Sequence, residues 1–271
     1  MSELTKRIIT GLIAFGIFLG AIFVHQIGFL ILFSVVMVVG LREYYDMVEK
    51  AGHYPQRITG IILGLSLLWG NGAYTFFGLP ERFLLIPVLC LFLILPIELY
   101  RGRKNPFTNI AMGVLGIVYI VIPLSLLVNI VVSNDSHEYR PESLVYFFML
   151  IWASDTGAYF AGRAFGKRKL FERVSPKKTW EGFIGGAALS LVVAAVLASI
   201  TFFPDLKVWL GMSIVAVVMG TYGDLVESLL KRNVGVKDSG TLLPGHGGVL
   251  DRFDSILLAS PFLFVYLKLF Y

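Results

Sequence analysis

Long apolar segments separated by short polar loops dominate this sequence, and they limit the folds open to it. A helix needs about 20 mainly apolar residues to cross a bilayer, and almost the whole chain divides into segments of this kind. Charged residues make up only 15% of the 271 residues, against about 25% in a typical soluble domain. We therefore predict an all-α, polytopic integral membrane protein, with residues 1–271 forming a single transmembrane domain.

About nine segments meet the length requirement. Only His25 and Gln26 separate the first two, so a single long hairpin, or a total of eight spans, is the alternative. Two basic residues precede the first segment, as in a signal peptide, but no small-residue cleavage site stands out, and we expect this helix to be retained. The predicted spans are Ile8–Val24, Ile27–Met47, Ile58–Phe77, Phe83–Tyr100, Asn109–Val132, Leu144–Gly162, Trp180–Phe203, Val208–Leu230 and Ser255–Tyr271.

The distribution of basic residues predicts the orientation. Lys and Arg collect on the cytoplasmic side of membrane proteins. If the N-terminus is cytoplasmic, all but four of the 23 Lys and Arg residues lie on that side, the exceptions being Arg82, Arg140, Lys207 and Lys268. We predict a cytoplasmic N-terminus and an external C-terminus in the inner (cytoplasmic) membrane, with N-terminal helices over about 1–132 and C-terminal helices and cytoplasmic loops over about 144–271.

Two carboxylates, Asp251 and Asp254, stand at the start of the last apolar segment. Residues at this spacing lie on one side of a helix, and carboxylates at a helix N-terminus also cap it and are stabilised by its dipole. Magnesium takes oxygen ligands, usually one or two carboxylates together with substrate phosphates. The pair therefore favours either a Mg²⁺ site or a helix cap.

Another group of polar residues ends a long apolar run. Asp224 is followed one helical turn later by Glu227 and Ser228. An acidic residue at or within a membrane interface is energetically costly, which makes it a candidate functional residue. We predict Asp224 as a metal ligand and Glu227 as a further candidate. For Glu227 the alternative is an internal salt bridge with Lys231.

Asp155 lies inside a predicted span, between Ser154 and Thr156. Its carboxylate must face protein or water rather than lipid. We predict that Asp155 lines the same polar site, the alternative being a polar network that only packs helices.

Two polar loops carry phosphate-binding residue types. The basic loop Arg163–Lys178 overlaps the run Ser175–Gly182, and lysines and hydroxyls suit a polyphosphate, although the positive-inside rule also explains its charge. In the turn Gly245–Gly248, the glycines let backbone N–H groups approach a phosphate closely. The candidate substrate-binding residues of both loops are Lys167, Ser175, Lys177, Lys178, Thr179, Glu181, Gly247 and Gly248.

Clustered carboxylates, basic side chains and glycine turns at one membrane interface suit metal-assisted phosphoryl or nucleotidyl transfer. The sequence has no HExxH, Walker A or GxGxxG motif. A second class of protein, a transporter or channel whose intramembrane acids bind ions, would explain Asp155 and Asp224 but not the crowded basic loops.

The segment from Ser228 to Asp254 resembles the signature of the phosphatidate cytidylyltransferases, also called CDP-diacylglycerol synthases. That signature contains Ser, any residue, an apolar residue and Lys-Arg, then Lys-Asp after four residues, and ends in His-Gly-Gly and Asp-Arg-apolar-Asp. The run Ser175–Gly182 is similar to a second feature of the family. All signature elements are present: Ser228, Leu230, Lys231, Arg232, Lys237, Asp238, Gly240, Leu243, Pro244, His246, Gly247, Gly248, Asp251, Arg252, Phe253 and Asp254.

The resemblance implies transfer of CMP from CTP to phosphatidate in phospholipid biosynthesis, giving CDP-diacylglycerol and pyrophosphate. It implies Mg²⁺, with a second cation as a further expectation, and the membrane lipid as partner. No nucleic acid is expected, and a homodimer is one open alternative for the assembly. A related transferase acting on another lipid, such as a polyprenol or an ether lipid, is the main alternative. The expected catalytic residues are Asp224, Lys231, Arg232, His246, Asp251 and Asp254, with further substrate contacts from Asp155, Ser228, Lys237, Asp238 and Arg252.

Overall fold

The structure, a computed structural model, describes residues 3–133, 138–201, 205–240 and 247–270, and within them it is almost entirely helical. The prediction of an all-α polytopic membrane protein is confirmed at this level. The helices and strands are α1 (Glu3–Val24), α2 (Gln26–Lys50), α3 (Arg57–Phe77), α4 (Leu85–Arg101), α5 (Pro106–Gly116), α6 (Ile122–Ile130), α7 (Glu142–Phe165), β1 (Lys169–Phe171), β2 (Ser175–Thr179), α8 (Trp180–Ile200), α9 (Leu206–Asn233) and α10 (Leu250–Phe270).

Eight helical segments in these ranges are long and apolar enough to cross a membrane. One of them, Pro106–Ile130, joins α5 and α6 through a π-helical turn, Ile117–Val121. Pro123 follows that turn and has no N–H to donate, which explains the irregular hydrogen bonding there. The count of nine spans and the orientation of the termini remain predictions.

The chain turns at His25, where the first two predicted spans were divided. The backbone of His25 is extended, and its Nδ1 accepts a hydrogen bond from the N–H of Ile27 at 3.1 Å. This bond satisfies one of the N–H groups that have no intrahelical partner at the start of α2. Helices α1 and α2 are therefore separate and meet where the sequence prediction divided the first two spans.

The chain divides into two compact units. The first unit comprises Met1–Pro141 and Asn233–Arg252, and the second comprises Glu142–Arg232 and Phe253–Tyr271. The first break in the chain falls close to the predicted boundary between N-terminal and C-terminal helices. Sequence analysis did not predict that the segment Asn233–Arg252, which carries much of the signature, belongs with the N-terminal helices.

In the first unit, α2 supplies much of the buried core. Its fully buried side chains include Phe29, Phe33, Met37, Leu41 and Tyr44, which recur every three or four residues and so form one stripe along the helix. The hydroxyl of Tyr44 donates a hydrogen bond to the carbonyl of Met112 at 3.0 Å.

In the second unit, small residues allow α7 and α8 to pack closely. A Cβ atom on Gly157 would lie 2.6 Å from the carbonyl oxygen of Gly185. A chain of hydroxyls continues the packing, because Ser213 donates to Ser190 at 2.9 Å and Ser190 donates to the carbonyl of Leu150 at 3.0 Å. Small and hydroxylated residues are the usual contacts between membrane helices.

A short antiparallel hairpin formed by β1 and β2 precedes α8, with Lys169 paired to Thr179 and Phe171 to Ser175. This hairpin was not predicted. Its strands are three and five residues long and consist mainly of polar residues, so they lack the alternating apolar pattern that identifies a strand in a sequence.

Candidate active site

Five polar side chains from four elements of the second unit form what we call the second-unit cluster: Asp155 of α7, Lys178 of β2, Asp224 and Ser228 of α9, and Asp254 of α10. The ammonium group of Lys178 lies 2.7 Å from Asp224 Oδ2. Ser228 Oγ donates a hydrogen bond to Asp224 Oδ1 at 3.2 Å. Both oxygens of Asp224 are therefore oriented by partners.

The other two carboxylates of the cluster interact electrostatically with the same pair. Asp155 interacts with both Lys178 and Asp224. Asp254 interacts with Asp224, Lys178 and Asp155. Three acidic groups predicted from different parts of the sequence thus lie within electrostatic range of one lysine. The lysine offsets part of their mutual repulsion.

A glycine explains how α9 and α10 approach closely enough to bring Asp224 near Asp254. A Cβ atom on Gly223 would overlap the carbonyl oxygen of Asp254 and lie 2.9 Å from Ser255 Cα. Any larger residue at this position would push the two helices apart. The glycine directly before Asp224 therefore helps to set the distance between the two carboxylates.

The second-unit cluster fits a divalent cation chemically. Its donors are carboxylate and hydroxyl oxygens, which are the ligands that Mg²⁺ prefers. In the part of the chain that the structure describes, no group of three His, Cys, Asp or Glu residues is arranged to hold a metal ion. Magnesium sites that act on nucleotides use only one or two carboxylates and complete their coordination with phosphates and water, so the donor set suits such a site.

Glu227 forms the salt bridge that was the alternative to its predicted metal role. Its Oε2 lies 2.5 Å from Lys231 Nζ, and both side chains are buried within α9. The pair follows the i, i+4 spacing of the helix. Arg232, the next residue, is exposed. The structure therefore favours a structural role for Glu227 and Lys231, and their predicted roles in metal binding and catalysis remain predictions.

The hairpin and the start of α8 hold each other in place. Thr179 caps α8, since its Oγ1 accepts from the N–H of Gly182 at 3.1 Å. Glu181 Oε2 accepts from the backbone N–H groups of Lys167 at 3.0 Å and Arg168 at 3.2 Å. Thr179 and Glu181, predicted as substrate-binding residues, are thus engaged in local hydrogen bonds.

Three further predicted binding residues lie on or beside this hairpin. Lys167 and Lys177 are exposed, and Ser175 is half-buried. Exposed lysines on a polar hairpin are available to an anionic group in solution or at a membrane surface. Their assignment to substrate remains a prediction.

The signature residues of the first unit surround Asp251. Its Oδ2 accepts hydrogen bonds from the N–H of Gly248 at 2.8 Å and from both the N–H and the hydroxyl of Ser239 at 3.0 Å. Gly247 takes a left-handed conformation, with φ of 84°, which favours glycine. The remaining predicted residues here are exposed: Lys237, Asp238 and Arg252.

The prediction for His246 lies outside the described residues, which resume at Gly247.

Glu43, which was not among the predicted site residues, lies near the end of α2 and is buried. Its carboxylate accepts hydrogen bonds from the N–H groups of Val249 and Leu250, each at 2.9 Å, and its Oε2 also lies 3.0 Å from Ser239 Oγ. The one available signal was an acidic residue near the end of an apolar segment. In the sequence it resembles its acidic neighbours Asp46 and Glu49, which instead form ion pairs with Arg57.

Comparisons with known proteins agree with the signature. The sequence profile described as "Cytidylyltransferase family" matches residues 5–270. The chain belongs to the cytidylyltransferase family. The resemblance drawn from the motif of residues 228–254 is therefore confirmed over almost the full length of the chain.

Individual relatives extend this comparison. The chain is 37% identical over 280 residues to the phosphatidate cytidylyltransferase of Bacillus subtilis, with 100% of each sequence covered. It is 33% identical over 262 residues to that of Staphylococcus aureus strain COL, covering 95% of this chain and 96% of the relative. A 52% identical match to the Haemophilus influenzae protein of the same name covers 124 residues, 44% of this chain and 43% of the relative.

Proposed function

We propose that this member of the cytidylyltransferase family transfers CMP from CTP to phosphatidate and forms CDP-diacylglycerol and pyrophosphate. The observation that carries the proposal is the second-unit cluster, in which Asp224 pairs with Lys178 and both Asp155 and Asp254 interact electrostatically with that pair. The full-length relatives that bear the name phosphatidate cytidylyltransferase support the choice of substrates.

The proposed reaction makes one bond and breaks one bond. A phosphate oxygen of phosphatidate attacks the α-phosphorus of CTP, and a P–O bond forms between the lipid phosphate and CMP. The bond between the α-phosphorus and the oxygen that bridges to the β-phosphate breaks, and its electron pair leaves with pyrophosphate. Phosphatidate is already an anion at neutral pH, so the attack requires no general base.

The carboxylates are proposed to hold the cation that accompanies the nucleotide. Asp224 and Asp254 are proposed as oxygen ligands of this cation, and Asp251 remains a separate proposal for a metal ligand. Mg²⁺ held by these side chains would neutralise negative charge on the phosphates as pyrophosphate departs. The hydroxyl of Ser228 keeps Asp224 oriented for this role. A second cation is consistent with the number of carboxylates.

The basic side chains are proposed to contact the phosphates of the substrates. Lys178 already carries its positive charge among the carboxylates, so it is suited to contact a phosphate that enters the cluster. Lys167, Lys177 and Lys237 are exposed and are proposed to contact the triphosphate or the lipid phosphate. For His246 the proposed roles are orienting a phosphate or donating a proton.

The proposed orientation places this chemistry on the cytoplasmic face of the inner membrane. The basic loops fall on that side under the positive-inside rule, and CTP is a cytoplasmic nucleotide. Phosphatidate would approach laterally so that both acyl chains remain in the bilayer. The distribution of basic residues likewise supports a cytoplasmic N-terminus and an external C-terminus. A homodimer is one open alternative for the assembly.

The proposal is tested with purified protein in detergent, CTP labelled with ³²P at the α-phosphate, and Mg²⁺ present or chelated. We expect label in CDP-diacylglycerol with phosphatidate as acceptor, together with release of unlabelled pyrophosphate. Parallel reactions contain a polyprenyl phosphate or an ether-linked phosphatidate. Label only in one of those products would replace phosphatidate with another lipid, and no pyrophosphate release with any acceptor would disprove a transferase.

A further inference from the structure

Glu43 provides a long-range cap for the helix that carries Asp251 and Asp254. Helix α10 begins at Leu250, and the first N–H groups of any helix have no partner within the helix. Those of Val249 and Leu250 donate to Glu43 Oε1 and Oε2, respectively. Caps usually come from the residue directly before the helix. Here the carboxylate comes from α2, about two hundred residues earlier in the chain.

A single hydroxyl links this cap to Asp251. Ser239 Oγ lies 3.0 Å from Glu43 Oε2 and 3.0 Å from Asp251 Oδ2. A hydroxyl has one proton, so it donates to one carboxylate at a time. The position of Asp251 is thus coupled through Ser239 to a carboxylate that is itself anchored on α2.

The glycines of the signature fit closely against the Glu43 carboxylate. A Cβ atom on Gly248 would lie 2.6 Å from Glu43 Oε2, and one on Gly240 would lie 2.5 Å from Glu43 Oε1. Both distances are too short for a carbon in van der Waals contact. The Glu43 carboxylate therefore leaves no room for a side chain at Gly240 or Gly248. This is a second reason for glycine in this segment, beside the predicted approach of a phosphate.

We propose that Glu43 is a positioning residue that fixes the turn before α10 and, through Ser239, the orientation of Asp251 for CMP transfer. This role rests on the proposed function of Asp251 in that reaction. Glu43 acts through Ser239 and the backbone N–H groups of Val249 and Leu250, and it does not touch the reacting atoms. The residues that hold a metal ligand in place commonly change metal affinity by about 10–100-fold when they are substituted.

The test compares wild-type protein with Glu43→Gln and Ser239→Ala. Glutamine keeps the size of the side chain but has only one acceptor oxygen, so one backbone N–H loses its partner. We expect kcat to fall roughly tenfold or more, and the Mg²⁺ concentration for half-maximal activity to rise about tenfold, with little change in the KM for phosphatidate. Ser239→Ala, which removes only the linking hydroxyl, is expected to raise the Mg²⁺ requirement in the same direction.

Hydrogen–deuterium exchange of the peptide covering residues 247–252, in protein without added metal, gives a readout independent of activity. In Glu43→Gln the amides of Val249 and Leu250 are expected to exchange about tenfold faster. Glu98→Gln is the matched control. Glu98 is also buried in the first unit, but its partners are Gln56, Arg101 and Asn109, so neither exchange in this peptide nor the Mg²⁺ requirement should change.

Each outcome decides one question. Unchanged exchange and an unchanged Mg²⁺ requirement in both Glu43→Gln and Ser239→Ala would overturn the positioning role. If Glu43→Gln does not fold, Ser239→Ala alone decides, and an unchanged Mg²⁺ requirement in that variant refutes the link to Asp251. If wild-type protein forms no CDP-diacylglycerol, the proposed function is wrong, and the exchange experiment still decides whether Glu43 caps the turn.

Discussion

Replacing Asp224 by asparagine distinguishes a catalytic carboxylate from one that only stabilises the fold. The substitution removes an ion pair in which Lys178 Nζ lies 2.7 Å from Asp224 Oδ2. The side chain of Lys178 is 26% exposed to solvent and that of Asp224 is 37% exposed. Ion pairs that are this accessible to solvent contribute about 1 kcal/mol or less to stability. The same substitution relieves repulsion between Asp224 and its neighbours Asp155 and Asp254, which offsets part of that loss.

Activity is expected to respond much more strongly than stability. Removing a group that stabilises charge in a transition state commonly lowers kcat by about 10²–10³-fold, or roughly 2.7–4 kcal/mol. We therefore expect Asp224→Asn to lose at least about a hundredfold in CMP transfer while its free energy of unfolding changes by no more than about 1 kcal/mol.

The assay measures labelled CDP-diacylglycerol formation at saturating CTP, and thermal unfolding in the same detergent gives the stability. The matched control is Glu138→Gln, which breaks an exposed ion pair with Arg140 in the predicted external loop. Its activity should remain within about twofold of wild type. Near-normal turnover in Asp224→Asn would refute the proposed role, and a parallel loss of stability and activity would point to a structural role instead.

Four further outcomes follow from the structure. Asp251→Asn should lower turnover by about a hundredfold or more without changing the elution volume in size-exclusion chromatography; wild-type activity would contradict its metal role. Thr179→Ala removes the cap of α8 and should cost about 1 kcal/mol in thermal unfolding; an unchanged midpoint would show that the cap contributes little. Lys268→Ala, on the predicted external side, should leave kcat within about twofold, and a large loss would contradict the topology. Chelation of Mg²⁺ should abolish product formation, and full activity in EDTA would exclude metal assistance.

Periodicity and length were enough to locate most helices of this chain. The predicted span Ile58–Phe77 corresponds to α3, Arg57–Phe77, and the helix starting at Trp180 begins where predicted. The last span was predicted to start at Ser255, whereas α10 starts at Leu250. The difference arises because Asp251 and Asp254 interrupt the apolar pattern, although carboxylates are stabilised in the first turn of a helix.

The candidate site was predictable where its residues follow helical spacing and was not predictable where partners are distant in the chain. Asp224 and Ser228 lie four residues apart on α9, and their hydrogen bond follows from that spacing. Glu43 contacts residues about two hundred positions away. Pairing across such a separation depends on which helices pack together, and no local pattern in one sequence records it.

The charges of the second-unit cluster explain why a cation should accompany the nucleotide. One ammonium group, that of Lys178, pairs with Asp224 and interacts electrostatically with Asp155 and Asp254. An additional triphosphate would bring several more negative charges close to these carboxylates. A divalent cation held by these carboxylates would offset part of this negative charge. Lys178 offsets only part of the negative charge of the cluster. Substitution of this lysine by methionine should therefore strengthen Mg²⁺ binding and weaken CTP binding. Loss of folding would weaken both, so the opposite directions of the two changes distinguish a local electrostatic effect from unfolding.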